Sequence, residues 1–551
     1  MARASHVAEA FRRLQQGDAA ACARVAREAL RAQPDDSRAH LALGMALRAQ
    51  GSLAEARESL ERAARLAPGD HAPAFELGVL FELAGDSRAA LASYEKAIAA
   101  RPDFIAARLA AAHLLAQAGR TPDALVCIEA ILARQPASAP ALHEKGWILH
   151  RSGNAVDAIV ALRRAIAIEP GQVEWRLDLA KALVDAGDDA AAREQYESLI
   201  AQSPRDVRAC VEYGRFRVAR GDFAHAESLF RAALELAPTD AAIPIYLAQA
   251  ALVQGRWREG WRAYARREPR RLFEAARARR GLDYALPSVD SVAGRELTLI
   301  AEQGLGDALF YLRFAPRLAA IGAKLHFRGD ARLVPLLRRS GWFASCAAGD
   351  VSSETAASLP ILVADLPALE GMDAVPAPLA IAPDSRRVER WRGRLAAAGQ
   401  PPWIGIAWRA GTPSSQLAHG LYKTVPLEAL CRAIAPLGGT VFSLQRMARE
   451  GEIEMAGAAL ASRVHDLAAA NDDLEDALAL VSLLDRHACV SNTNVHLAAA
   501  AGAKVDVLVA FPPEWRWGAS GASPWFPSFE VHRQLPGGDW SAALANLART
   551  A

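Results

Sequence analysis

Along the first half of the chain, small and apolar positions return at a fixed interval of 34 residues. One column holds Gly44, Gly78, Ala112, Gly146, Ala180, Gly214 and Ala248, and a second holds Gly51, Gly85, Gly119, Gly153, Gly187, Gly221 and Gly255. A third reads Ala56, Ala90, Ala124, Ala158, Ala192 and Ala226, and a fourth Pro68, Pro102, Pro136, Pro170, Pro204 and Pro238. Such columns predict helical hairpins: small residues where two helices cross closely, glycine in the turn between them, proline where the second helix stops. Each hairpin leaves an apolar face that only its neighbours can bury, so the pattern predicts a stacked array over residues 1–268. Its first repeat, with Gly17 and Pro34, is irregular, and its last, around Gly255 and Trp261, is incomplete.

From about residue 290 the pattern changes to short β-rich runs followed by helical stretches, as in parallel α/β units. The predicted strands are Glu296–Ala301, Lys324–Arg328, Ile361–Ala364, Trp403–Trp408, Thr440–Leu444, Ala488–Ser491 and Val505–Phe511. A Pro/Gly stretch at Gly399–Pro402 divides them, which predicts two Rossmann-like subdomains, residues 290–398 and 399–551, facing each other across a cleft. Sheets of this kind bind ligands at the carboxyl ends of their strands.

Composition narrows the class. The chain has 551 residues, which at ~150 residues per domain means about three to four compact units. With 52% hydrophobic and 23% charged residues and a net charge of +2, the sequence describes folded material rather than disorder or a polyanion binder. No apolar run approaches the ~20 residues of a membrane span, and the opening segment is not a signal peptide, so a soluble cytoplasmic protein is expected. The six cysteines are dispersed, with no zinc-ligand spacing, and read as small buried residues in a reducing compartment. Residues 269–289 form a linker behind an arginine-rich stretch, Arg266, Arg267, Arg270, Arg271, Arg277, Arg279 and Arg280. It reads as a solvated linking helix whose side-chain stems cover the junction, ahead of a recognition surface for an acidic segment.

The four columns resemble the tetratricopeptide repeat. That resemblance implies a solenoid whose concave side, lined by the first helix of each hairpin, binds a protein segment. It nominates Arg48, His113, Trp147, His150, Lys181 and Arg215 as groove residues. Residues 1–270 contain one asparagine, Asn154, so the asparagine ladder of the O-GlcNAc transferase superhelix is absent.

The first strand end of the α/β half reads Glu302-Gln303-Gly304-Leu305-Gly306-Asp307 and leads into a helical stretch, Ala308–Ala320. Two glycines there let a ligand approach the backbone, and a helix start favours anionic groups. The segment lacks the third glycine of a dinucleotide fingerprint and the ending of a P-loop, which disfavours an oxidoreductase or an NTPase. Taken in order, EQGLGDALFYLRFAPRLAAIGA, WIGIAWRAGT, YKTVPLEAL, GGTVFSLQR, VSNTNVHLAAAAG and FPPEWRWGASGASPWFP resemble the glycosyltransferase module of bacterial tetratricopeptide proteins. That module is similar to heptosyltransferases and, more distantly, to protein O-glycosyltransferases.

The resemblance covers residues 290–551. It implies a GT-B fold, a nucleotide-sugar co-substrate bound chiefly by the second half, no further cofactor and no obligatory metal. It places Asp307 as the general base that deprotonates an acceptor hydroxyl, with helix capping as the structural alternative. Lys423, one of only six lysines, falls where a cation meets the donor phosphates. Gly304, Gly306, Trp408, Ser443, Gln445, Asn492, Thr493, Asn494 and His496 complete the donor-binding candidates, with strand-end packing as the alternative for Trp408 and Gln445 and core packing for His496.

Many members of that group carry an acid at position 491, where this chain has Ser491 and adds two amides, Asn492 and Asn494; donor identity is therefore open. The acidic run Asp472, Asp473, Glu475 and Asp476 opens a helical stretch, Leu474–Leu484, and reads as favourable dipole placement rather than a metal site. The expectation is a glycosyltransferase that recruits a protein acceptor, flagellin-like by the resemblance, and modifies its Ser or Thr. The alternatives are a scaffold with a decayed transferase module, or a transferase acting on a lipid-linked glycan.

Overall fold

The computed structural model describes residues 2–349, 358–372, 374–410 and 423–550. The chain separates into two compact units, Met1–Pro204 and Arg205–Ala551. The first consists of helical hairpins from Ala2–Gln15 to Asp189–Gln202. Each turn carries a glycine at φ between 76° and 84°, the left-handed region in which a side chain is strained. The crossing glycines answer to close packing: a Cβ on Gly44 would lie 2.6 Å from Leu60, and one on Gly146 would lie 2.5 Å from Leu162. Ala56, Ala90, Ala124, Ala158 and Ala192 are fully buried. Asp18, Asp36, Asp70, Asp86 and Asp188 cap helix starts through their side chains. Asn154 does the same, accepting from the Asp157 amide.

The second unit opens with two further hairpins, Val207–Val218 with Phe223–Leu236 and Ile243–Val253 with Trp257–Tyr264, then the helix Glu268–Ala278. It continues with a parallel sheet of β1 (Glu296–Ile300), β2 (Lys324–Gly329), β3 (Ser345–Ala348) and β4 (Leu359–Leu362) in the order β3-β2-β1-β4. A short ladder, β6 (Arg409–Ala410) with β7 (Lys423–Thr424), follows β5 (Trp403–Ala407). A second parallel sheet is completed by β8 (Thr440–Ser443), β9 (Val464–Asp466), β10 (Arg486–Val490), β11 (Asp506–Val509) and β12 (Glu530–Arg533), in the order β12-β11-β10-β5-β8-β9. All seven predicted strands are present within a few residues, whereas β3, β9, β12 and the short pair β6 and β7 were not predicted.

Strand alternation sorts the second sheet into two cores. Ile404, Ile406, Val441, Ala488, Val490 and Leu508 pack beneath the helices Leu427–Ile434 and Ser541–Arg549. Ala407, Phe442, Cys489, Val507 and Val509 face the opposite way, into a larger core shared with β1, β2 and the final hairpins. Phe223, Leu252, Val253 and Trp261 belong to that shared core. Trp257 meets Trp525, and Trp261 meets Trp515, both edge-on at 4.9 Å between ring centroids. The last hairpins are thus built into the α/β body, although their repeat spacing matches that of the first unit.

The basic stretch departs from a solvated linking helix. Arg267 is 2% exposed and pairs with both Glu302 and Asp365, donating from Nη1 to Asp365 Oδ1 at 2.5 Å. Tyr284 also donates to Asp365, at 2.8 Å, and accepts from the Leu362 amide. A guanidinium so deeply buried needs paired carboxylates, which no reading of local composition supplies. The acidic run, by contrast, does sit at a helix start: Asp473 caps Leu474–Val481, and Arg387 pairs with Asp473 and Asp476. Among the described residues no group of three or more His, Cys, Asp or Glu is placed to hold a metal, and no helix is long and apolar enough to cross a membrane.

Two stability predictions follow from this packing. Trp261→Ala, which empties the contact between the last hairpin and Trp515, destabilises the second unit by about 3–5 kcal/mol in chemical denaturation; a loss below about 1 kcal/mol contradicts the shared core. His487 on β10 is 1% exposed, and neither ring nitrogen has a partner among the described residues. Burial pushes its pKa down to about 4, against a weaker pull upward from Asp506. The unfolded chain takes up that proton near the ordinary value of ~6.5, so stability is present above ~6.5 and declines toward pH 4, by up to roughly 3 kcal/mol. His487→Leu should flatten this acid limb, and an unchanged limb contradicts the assignment.

Candidate functional site

Strand order reverses once in each sheet, and connections on the two sides of a reversal leave on opposite faces, opening a crevice beyond the strand ends. In the six-stranded sheet the reversal lies between β5 and β10; in the four-stranded sheet it lies between β1 and β4. The segments at those ends are Trp408–Ala410 after β5, Ser491–Asn494 after β10, and Glu302–Asp307 after β1.

The loop after β1 meets the loop after β10 directly. A Cβ on Gly306 would lie 2.9 Å from His496 Cδ2 and 3.5 Å from Thr493 Cα, so a side chain there would force the two apart. Asp307 occupies the first turn of the helix Leu305–Tyr311 without capping it; Gly304 is the capping residue and offers no side chain. The predicted helical stretch is broken, with a 3-10 turn at Leu312–Phe314 before Ala315–Ala320.

Four charged side chains meet at this junction in alternating sign. The Arg516 guanidinium pairs with Asp307 Oδ1 and lies 3.6 Å from Glu514 Oε2. Glu514 pairs in turn with the Lys423 ammonium, which also donates to the Ser491 carbonyl at 3.1 Å. The Ser491 hydroxyl donates to Glu514 Oε2 at 3.3 Å. An acid therefore stands against position 491 after all, delivered from residue 514. Asp307 keeps 38% of its side-chain surface exposed, while Arg516 keeps 11%.

The surroundings set the charge states. Burial alone would raise the Glu514 pKa, but Lys423 and Arg516 outweigh it and hold the carboxyl below its usual range. Burial works against Arg516 as well, and Asp307, Tyr311 and Glu514 reverse the effect and hold it protonated. Phe310 and Trp515 flank the guanidinium, at 4.9 and 4.5 Å from the ring centroids. Burial, then the neighbouring Arg516, Arg313 and Lys423, push His496 far below its ordinary value, leaving a neutral imidazole. Arg313 is driven down to about 9 by burial and by Arg516, and rests 4.3 Å from the Phe310 centroid.

The structure brings together Gly304, Gly306, Asp307, Lys423, Asn492, Thr493, Asn494 and His496. Asn492 caps Thr493–Ala500 by accepting from the Val495 amide at 3.3 Å. Asn494 and His496 are buried, and no hydrogen bond among the described residues engages either side chain. Within two of the quoted motifs, Gly411, Thr412 and Tyr422 lie outside the described residues.

Three donor candidates belong to the scaffold instead. Trp408 is 1% exposed, on the same strand face as Ile404 and Ile406. Gln445 spends its amide on the backbone, accepting from the Trp408 and Arg409 amides at 3.0 and 2.8 Å and donating to the Arg409 and Arg446 carbonyls. Ser443 is fully buried and accepts from the Gln445 amide at 3.3 Å. Sequence reasoning missed Glu514 and Arg516. Their signal lies in Glu514-Trp515-Arg516-Trp517, where charged and aromatic residues alternate and the two tryptophans are buried.

A family profile described as the tetratricopeptide repeat matches residues 83–144 and 149–210, and a second of the same description matches residues 7–71. The N-terminal hairpins are tetratricopeptide repeats. Over 336 residues the chain is 26% identical to Protein FlbA of Caulobacter vibrioides, a match covering 55% of this chain and 53% of that protein. The chain thus spans about half the length of the curated relative it matches. Among solved structures, a tetratricopeptide repeat protein from Parabacteroides merdae is 19% identical, with 44% of this chain and 97% of that chain covered and a TM-score of 0.39. PilW, a type IV pilus biogenesis factor, is 21% identical, with 37% and 94% covered and a TM-score of 0.35.

Within the tetratricopeptide hairpins, most groove candidates already engage neighbouring helices. Arg48 pairs with buried Glu76 at 3.0 Å. His113 stacks on Trp147 at 4.3 Å and binds Glu144, whose hydrogen bond raises its pKa. His150 binds Asp185 at 2.6 Å, whereas Arg215 binds Glu212 of its own helix at 3.1 Å. Lys181 is half-buried and carries no ion pair among the described residues.

The scaffold role of Gln445 is measurable. Gln445→Ala leaves one buried and one partly buried amide without an acceptor and lowers stability by about 2–4 kcal/mol in urea unfolding; a change within about 0.5 kcal/mol contradicts the role.

Proposed function

We propose that the second unit is a glycosyltransferase of the GT-B type that moves a sugar from a nucleotide-sugar donor to Ser or Thr of a protein bound by the tetratricopeptide repeats. One observation carries the reading: loops from both sheets, each at its order reversal, converge on Asp307, Arg516, Lys423 and the start of the helix Thr493–Ala500. The repeats imply protein partners. The resemblance of the ordered motifs supports a flagellin-like acceptor.

In this reading the donor phosphates lie against Lys423 and the amides that open Thr493–Ala500, where cation and helix start favour anions. The acceptor hydroxyl attacks the anomeric carbon and passes its proton to Asp307. The bond from that carbon to the phosphate oxygen breaks, and the charge that grows on the departing nucleotide falls on Lys423. Arg516 holds Asp307 by Oδ1, which leaves Oδ2 for the hydroxyl. Tethering the acceptor raises its effective concentration at a site with little affinity of its own for a hydroxyl.

A decayed transferase serving as a scaffold is the second reading, favoured by one fact: each of the four charges already has a partner within the chain. The intact mass of flagellin co-expressed with this protein separates the two. The proposal predicts a sugar-sized increment with the natural chain. With Asp307→Asn transfer falls by a factor of about 10²–10⁴ while nucleotide binding remains, and Lys423→Ala weakens nucleotide binding about tenfold or more. Transfer at an undiminished rate by Asp307→Asn removes it as the base. Flagellin bound by the repeats yet unmodified in every case favours the scaffold.

A further inference from the structure

Lys423 is held by an anion that the chain supplies itself. Its ammonium pairs with Glu514, and the same carboxylate takes the Ser491 hydroxyl at 3.3 Å and stands 3.6 Å from Arg516. Two cations and a hydroxyl at the end of a strand and the start of a helix are the groups that recognise a phosphate. Glu514 meets all three. A phosphate seated against Lys423 would share that ammonium with a second full negative charge a few ångströms away, an arrangement that one of the two anions must leave.

The fold allows the carboxylate to leave without moving the chain. On one side of it Trp515 is anchored against Trp261, and beyond Arg516 Trp517 is fully buried, so the backbone is fixed while the Glu514 side chain keeps 26% of its surface in contact with water. A change of rotamer alone would free the carboxylate from Lys423, and Arg516 would retain Asp307 as its partner.

We propose that Glu514 is a built-in competitor of the donor phosphate, occupying Lys423, Ser491 and the flank of Arg516 until a phosphate group displaces it. The inference rests on the donor-site reading above and adds a selectivity device to it. An anion gains the site only by outbidding a carboxylate already in place, which discriminates against weakly charged anions and favours a diphosphate. Glu514 also explains how position 491 can be a serine: the negative charge is present but detachable, whereas an acid at 491 would be fixed.

The test is isothermal titration of inorganic pyrophosphate into the full chain and into Glu514→Gln and Lys423→Ala. Competition predicts that Glu514→Gln binds pyrophosphate about tenfold more tightly than the natural chain, since one opposing charge-assisted contact is removed, and that Lys423→Ala loses the binding. Tighter binding cannot arise from a damaged fold. Equal or weaker binding by Glu514→Gln, with binding still lost in Lys423→Ala, overturns the competitor role and leaves the donor site standing, with Glu514 positioning the lysine. Binding that is absent from all three forms, or unaffected by Lys423→Ala, overturns the competitor role and the donor site together.

Discussion

The burial of Arg516 is the constraint from which the rest of the site follows. A guanidinium withdrawn from water is tolerated only when carboxylates and aromatic faces replace its hydration. Asp307, Glu514, Phe310 and Trp515 make up that replacement. Asp307 comes from the loop after β1 and Arg516 from the segment after β11, so satisfying one charge fixes loops of the two sheets against each other. Gly306 makes the approach sterically possible, and Trp515 ties the same segment to the last helical hairpin through Trp261. Packing and chemistry thus share one stretch of backbone, with alternate side chains assigned to each.

Much of this architecture is legible in the sequence because it rests on local rules. Glycine at positive φ, alanine at crossings and proline after helix ends recur at one period, so each column names its own cause. The end of the first compact unit at Pro204 is not legible, because the period runs on unchanged into hairpins whose outer face is buried by Phe511, Trp515 and Trp525 far along the chain. The strands that escaped prediction, β3, β6, β7, β9 and β12, are all sheet edges, short and weakly apolar, and their pairing depends on a neighbour more than on their own residues.

At the site, Asp307 and Lys423 were visible as charges at strand or motif ends. Glu514 and Arg516 were not, because their roles arise from partners far earlier in the chain, Lys423 lying 91 residues before Glu514 and Asp307 lying 209 before Arg516. Trp408 and Gln445 illustrate the opposite error: both follow a strand end, but strand parity turns Trp408 into the core, and Gln445 is consumed in holding that turn. Parity with Ile404 and Ile406 was there to be read. The buried Arg267 shows the same limit for charge composition, since an arginine-rich run gives no hint of which member finds two buried carboxylates.

The second unit combines hairpins of the repeat spacing with two parallel sheets whose order reversals open a crevice at the strand ends. The central claim is that the crevice receives the phosphates of a nucleotide-sugar at the end of β10. A crystal structure of the full chain with a nucleoside diphosphate tests it most directly. The account predicts phosphate density between Lys423 and the amides of residues 493–494, with the Glu514 side chain turned toward solvent. A nucleotide bound away from Lys423, or one seated there with the Glu514–Lys423 pair intact, would contradict it.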